Sequence, residues 1–382
     1  MATIREAVIV DAIRTPIGKK GGTLSRVRSD DLGALVLGEL CRRNRLDPAE
    51  IDDVVTGCVT QTGEQGANIA RNIVLAAGLP VTVTGTSVNR LCASSIQAFV
   101  NAAQAVMCGM MDLCVALGVE SMNRVPMGSD VGPFNPGMME RFAIVPQGTS
   151  AELIAEKWEL TRKQNDELAL MSQRRALAAV RGGEFAREIV PVKTTGDDGT
   201  AVELMQDETP RETSLEKLAA LQPSFKPDGV ITAGNSSQIS DGAAGLVVTT
   251  PEKARQLGVR PRARLVTYAV AGVCPTIMLT APIPATRKAL AKAGLRLDQI
   301  GVVEINEAFS SVVLACGKDL GFDWDRTNQR GGAIALGHPL GATGARLLTT
   351  TLHLMEDRQE RYGLATLCIG FGQGQAVILE RL

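Results

Sequence analysis

Histidine is nearly absent: the 382 residues contain two, His338 and His353. A zinc site built from histidine and cysteine therefore has little to draw on, and no metal is expected. The eight cysteines, at 41, 58, 92, 108, 114, 274, 316 and 368, form no CxxC pair and show no recurring spacing. That excludes a disulfide framework and leaves most of them as small buried hydrophobes. Net charge is lacking too. Forty lysines and arginines stand against 41 acids, mixed along the chain, so there is no basic stripe for a phosphate backbone and nucleic acid is excluded as a partner. No apolar run approaches the ~18 residues that span a bilayer. "MATIREAVIVDAIRTP" offers a four-residue apolar core followed by Asp11 and Arg14, unlike a signal peptide, which predicts a cytoplasmic protein without a transmembrane segment.

What is present is a chain 45% hydrophobic and 21% charged, the balance of a well-packed globular protein too long for one ordinary core. Glycine-bounded β-rich runs alternate with helical patterns, which predicts an α/β architecture. "EAVIVDAI" reads as a strand. "DDLGALVLGELCRRN" carries Leu32, Leu35, Val36 and Leu40 at helical spacing behind a capping aspartate, Asp30 or Asp31. "MDLCVALGVESM" and "AAGLVVTT" are short apolar runs suited to a sheet covered on both faces.

Residues 122–239 differ. A Pro/Gly-rich opening, "NRVPMGSDVGPFNPG", leads into charged amphipathic helices, one of them with a Thr161–Gln164 capping box and an end at Gly182 and Gly183. The stretch reads as an insertion. After residue 262 the alternation resumes and echoes the first part: "NRLCASSIQAF" and "GGAIALGHPLGATGARLL" are both turns running into helices, each followed by a strand. The division is 1–121 plus 240–261 for one core half, 122–239 for an inserted loop domain, and 262–382 for the second half. Cys92 and His338 then sit at matching helix starts, which a duplicated core brings together.

Four stretches carry chemistry. Cys92 precedes an apolar helix, where free N–H groups and the dipole favour a thiolate; a buried cysteine at a helix start is the alternative. His338 stands among glycines in "LGHPLGATGAR", as a base for a cysteine or as a structural histidine. Asn306 in "EINEAF" either caps the helix through "SSVVLACG" or supplies an oxyanion donor. In "CIGFGQG", Cys368 leads Gly370, Gly372 and Gly374, either as an acid/base beside backbone N–H donors or as a glycine-kinked hairpin.

"VIVDAIRTPIGK", "NRLCASS", "TAGNSSQISDGAA", "PIPATRKAL", "EINEAFSSVV", "GGAIALGHPLGATGARLL" and "LCIGFGQG" occur in this order across the whole chain, and together they resemble the thiolase family. The resemblance implies a duplicated, five-layered α/β core with an inserted loop domain, and an acyltransferase that binds no cofactor but uses coenzyme A and acyl-CoA as substrates. It implies that Cys92 is the nucleophile and His338 its base, that Asn306 holds a water at the thioester oxygen, and that Cys368 is the second acid/base. The backbone N–H groups of Cys92 and Gly370 would form a second oxyanion hole. Ser237 matches a pantetheine contact, Met278 and Phe309 match pocket positions, and Arg211 lies near a nucleotide-binding arginine.

Departures from the family pattern touch the substrate. Phe371 stands where many thiolases have glycine, Ser95 replaces a common glycine, Pro146 and Gln147 occupy the place of a His-Met pair, "IMLTAP" surrounds Met278, and Arg330 replaces an asparagine. These lean towards a degradative 3-ketoacyl-CoA thiolase rather than an acetoacetyl-CoA enzyme. "SAELIAEKW" and "IMLTAPIPATR" are similar to a sterol-degrading branch. A decarboxylating condensing enzyme would need a second histidine or an asparagine where Cys368 stands, and a non-catalytic lipid-binding relative would have lost a catalytic residue. A homodimer or homotetramer is expected by the same resemblance, and a complex with a hydratase/dehydrogenase subunit is a further partner it admits.

Overall fold

A computed structural model describes residues 4–196 and 198–382. Nine strands run through one sheet: β1 (Val8–Arg14), β2 (Asp53–Gly57), β3 (Thr84–Val88), β4 (Leu113–Ser121), β5 (Ser240–Thr249), β6 (Ala263–Gly272), β7 (Val302–Ile305), β8 (Tyr362–Ile369) and β9 (Gln373–Arg381). Their order is β7-β8-β9-β6-β1-β5-β4-β2-β3, with the two-residue strand Gly18–Lys19 beside β5. Several are buried along their whole length on both faces and mostly apolar, as strands covered by helices on each side are.

The sheet is two copies of one motif joined at a narrow seam. In the first, β1 pairs antiparallel with β5, β5 antiparallel with β4, and β4 parallel with β2. In the second, β6 pairs antiparallel with β9, β9 antiparallel with β8, and β8 parallel with β7. Only Val8 and Ile9 against Arg264 and Ala263 join them. The β4–β5 connection carries residues 122–239, whereas its counterpart between β8 and β9 is the three-residue turn Gly370–Gly372. The loop region and the turn of "CIGFGQG" thus occupy the same topological position.

Helices cover both outer faces and fill the middle. Helices α1 (Ser29–Asn44) and α2 (Ile69–Ala76) pack their apolar stripes on the first motif. Between the motifs lie α3 (Ser94–Met107) and, further along the chain, α8 (Leu340–Asp357), in one apolar cluster with residues of both motifs. The loop region contributes α4 (Gln147–Lys157) and α5 (Arg162–Arg181), and α6 (Pro282–Ala293) and α7 (Ser310–Leu320) cover the second motif. Helix α5 has the expected capping box of Thr161 and Gln164. Helix α1 departs from expectation: its N-cap is Arg28 with no side-chain cap, and Asp30 and Asp31 lie inside the first turn. Glu64 accepts the Ser29 N–H, so neither aspartate is needed as a cap. Among the described residues no helix is long and apolar enough to cross a membrane.

The two central helices approach closely at their starts. A Cβ on Gly344 would come within 2.6 Å of the Ile96 nitrogen, which only glycine allows. Ser95 Oγ, the departure from glycine noted above, accepts the Ala345 N–H at 2.8 Å. Glu120, at the end of β4, accepts from the N–H groups of Val59, Thr60 and Gly341 and from Gln65 Nε2 at 2.8–3.0 Å. It ties the first motif to the start of α8. Glu120→Ala would orphan these buried donors at about 1–3 kcal/mol each, so the expected loss is about 3 kcal/mol or more, measured as a lower urea midpoint at unchanged m-value.

Candidate active site

Chain geometry delivers the four chemistry-bearing stretches to one place. Asn306 follows β7 and donates its backbone N–H to Thr366 O at 3.0 Å, which ties it to β8, the neighbouring parallel strand that carries Cys368. Cys92 follows β3 and lies two residues before α3, while His338 lies two residues before α8. The close contact of α3 and α8 brings these two helix starts to the same end of the core.

The histidine is held in one tautomer. Thr343 donates its single hydroxyl proton to Pro339 O at 2.8 Å, so its oxygen accepts from His338 Nδ1–H at 2.6 Å. His338 Nε2 keeps its lone pair, and Asn306 Nδ2 faces it at 3.3 Å. Ser240 Oγ accepts the His338 backbone N–H at 2.8 Å, fixing the loop. Burial, with the Arg346 charge adding to it, pushes the imidazole down to about 3, so it is a neutral base. Asn306 is not the helix cap: α7 starts at Ser310 with Phe309 at the N-cap. Its Oδ1 is buried without a partner, leaving an acceptor free for a water or substrate group.

Cys92 is buried, and the backbone N–H groups of Gly370 and of Cys92 itself act to lower its thiol pKa. Those donors favour the thiolate, as the helix start was expected to do. Burial outweighs them and pushes the thiol up to about 11, because removing an ion from water costs more than two N–H groups return. Cys368 is raised well above its ordinary value, by burial first and then by the Cys92 charge. The two thiols therefore sense each other. Both are thiols in the free protein at neutral pH.

The "CIGFGQG" stretch forms the glycine-kinked hairpin of the second reading. It is a hairpin turn, with Cys368 opposite Gly374 and Ile369 opposite Gln373, and its Gly370 lines a cavity of about 360 Å³ together with Cys92, Leu91, Gln147, Met278 and Leu340. Gly372 has φ +82° and lies against the Val273 backbone, where a side chain would not fit. Leu91, the residue before Cys92, is held at φ +48°. A left-handed leucine next to a buried cysteine is strain of the kind found at functional sites.

The remaining candidates separate. Met278 is in the cavity wall; Phe309 is not, and meets Phe225 edge-on at 5.8 Å. Ser237, half-buried, donates its backbone N–H to Ala308 O at 2.9 Å, next to Phe309. Phe225 lies against Gly148, beside the cavity residue Gln147. Arg211 is exposed, lines no part of this cavity, and binds Gln173 through its backbone N–H. Arg330 is committed to ion pairs with Glu184 and Asp357. The two acids of "EINEAF" are structural: Glu307 accepts from Ser172, Asn328 and Ile334, and Glu304, raised to about 8 by burial, faces Arg346. Thr343, Ser240 and Glu120, which orient the His338 loop, escaped the sequence reading; the hydroxyl five residues after His338 in "GATGAR" was the available signal.

Comparison with known proteins agrees with this geometry. The family "Thiolase, N-terminal domain" matches residues 7–252, and "Thiolase, C-terminal domain" matches residues 259–381. A 3-ketoacyl-CoA thiolase of Vibrio vulnificus is 47% identical over 388 residues, covering 99% of this chain and 100% of that one. One of Shewanella baltica is 48% identical over 388 residues with the same coverage. The crystal structure of the Bacillus anthracis acetyl-CoA acetyltransferase superposes with a TM-score of 0.93 at 39% identity, each chain covered in full. Two domain matches spanning almost every residue, and near-half identity from end to end, show that this chain belongs to the thiolase family.

Proposed function

We propose that the protein is a 3-ketoacyl-CoA thiolase of the degradative type, acting through Cys92. The observation that carries this reading is a buried thiol beside a glycine-rich turn at one cavity, with a second buried thiol close enough to feel the first and a neutral imidazole of fixed tautomer two residues before the cavity residue Leu340. The similarity to curated 3-ketoacyl-CoA thiolases supports the substrate class.

The steps follow from the groups present. His338 Nε2 takes the Cys92 proton as the sulfur attacks the 3-keto carbon, and the resulting oxyanion is met by the N–H groups of Cys92 and Gly370. The C2–C3 bond then breaks. Its electron pair passes to the acetyl-CoA enolate, whose thioester oxygen is stabilised by the protonated imidazole and a water held by Asn306. Cys368 protonates C2 and acetyl-CoA leaves, with the shortened acyl group on Cys92. Coenzyme A enters, gives its proton to Cys368, and attacks the acyl carbon; the Cys92 sulfur departs and recovers its proton from His338. Burial of both thiols keeps them protonated until substrate is present. We place the pantetheine of coenzyme A at the half-buried Ser237, and leave Arg211 outside the site.

We also propose a cytoplasmic homodimer. Strand β3 ends the sheet, among the described residues no strand pairs with its outer edge, and Val81 and Leu75 are exposed nearby. An uncovered edge is a template for a second strand.

Three outcomes test these statements. Cys92→Ala is expected to lower kcat for thiolysis by about 10⁴-fold or more, as loss of a nucleophile does; wild-type activity in this variant contradicts the assignment. In the free protein, alkylation of Cys92 by iodoacetamide, followed by peptide mass, should keep rising beyond pH 9 because the thiol titrates near 11. A plateau below pH 8 would mean a resting thiolate. Light scattering should give a dimer or larger assembly, and a monomer removes the edge-strand contact.

A further inference from the structure

The cavity beside Cys92 continues outward along an apolar wall that contains Met127, Val131, Phe134 and Phe371. All four are exposed, Met127 and Val131 by more than half. Exposed apolar surface continuous with a nucleophile asks for a ligand that covers it. Two of these residues form a structure of their own: the rings of Phe134 and Phe371 meet edge-on, with centroids 5.5 Å apart and planes at 80°. This pair joins the inserted loop region to the turn that carries Gly370.

Phe371 holds its place against local preference. Its φ is +60°, a conformation glycine adopts freely and a bulky residue rarely does. The backbone is pinned on both sides: Ile369 pairs with Gln373 across the hairpin, and Gly372 O accepts the Val273 N–H at 2.7 Å. Between these two points the ring lies in the cavity wall, against Phe134. Nothing in the turn itself requires a side chain there. The aromatic ring must therefore serve something outside the turn.

We infer that the Phe134–Phe371 pair is the element that selects substrates by the length of the acyl tail. This rests on acyl transfer through Cys92, since a tail attached at the Cys92 sulfur has to leave along the wall these rings form. A short acyl group ends inside the cavity near Met278 and never reaches them. A long one passes between the rings and Val131 and covers the exposed surface. Because Phe371 is fixed relative to Gly370, a tail seated on its ring also holds the reacting carbonyl against the N–H donors, so the selection extends beyond binding.

The test compares wild type, Phe371→Ala, Phe371→Leu and Phe134→Ala in the full-length protein. For each, kcat/KM is measured for acetoacetyl-CoA and for 3-ketohexadecanoyl-CoA, and Kd is measured for acetyl-CoA and palmitoyl-CoA. The expected result is that Phe371→Ala and Phe134→Ala each lower the long-to-short ratio about tenfold in both measurements, the range that lost apolar contacts at a specificity pocket produce. Phe371→Leu should keep most of the ratio, and the double alanine variant should fall little further than either single one. A uniform fall at both lengths, with the ratio unchanged, overturns the inference and leaves Phe371 as a shaper of the turn. The Kd ratios stand without turnover: if wild type cleaves no 3-ketoacyl-CoA, the proposed reaction fails, and an unchanged palmitoyl-to-acetyl Kd ratio in the variants still decides against the ring pair.

Discussion

The contact between the N-terminal ends of two central helices is what the rest of the molecule depends on. Gly344 lets the backbone of Leu340–Asp357 touch that of Ser94–Met107 at Ile96, and Ser95 Oγ closes the approach by accepting the Ala345 N–H. Each helix belongs to a different copy of the duplicated motif. Each is preceded by a reactive side chain two residues before its start, Cys92 on one and His338 on the other. The glycine contact brings the two helix starts together at one end of the core. Glu120 then spends its lone pairs on donors from Val59, Thr60, Gln65 and Gly341, locking the second helix start onto the first motif.

Placing the site at this buried junction sets its electrostatics. Burial penalises charged forms: the His338 imidazole is pushed down to about 3 and the Cys92 thiol up to about 11. The resting pair is neutral, and the charge that chemistry needs is made only when substrate brings its own carbonyl to the N–H donors. Neutral, oriented groups cost no reorganisation in the transition state. With His338 neutral from about pH 4 upward and both thiols protonated to about pH 9, no titration of these groups limits the first half-reaction in between.

Much of this was legible in the sequence, for definable reasons. The strands and helices of the core follow from short apolar runs and helical spacing, and the echo between "NRLCASS" and "ALGHPLGATG" foretold that Cys92 and His338 occupy matching positions. The change of composition after residue 121 coincides with the end of β4. Other features were not legible. Whether Asn306 caps a helix depends on where that helix starts, and only the structure shows Phe309 at the cap. The helix start at Cys92 suggested a thiolate because the dipole is a local feature, whereas the burial that opposes it is contributed by strands hundreds of residues away. Arg28 in place of an aspartate at the start of Ser29–Asn44 has the same origin, since Glu64 reaches the Ser29 N–H from a separate loop. The aromatic pair of Phe134 and Phe371 joins positions far apart in the chain, and no spacing rule could have found it.

The central claim is that the 3-ketoacyl group is handed to Cys92 before coenzyme A takes part. Mixing the wild-type protein with 3-ketohexanoyl-CoA in the absence of coenzyme A, then following acetyl-CoA by rapid quench and the protein by intact and peptide mass, tests this directly. The account predicts one equivalent of acetyl-CoA per active site and a butyryl adduct on the peptide containing Cys92, discharged as butyryl-CoA when coenzyme A is added. Acetyl-CoA formed only after coenzyme A is added, or an adduct on Cys368 instead of Cys92, would contradict it.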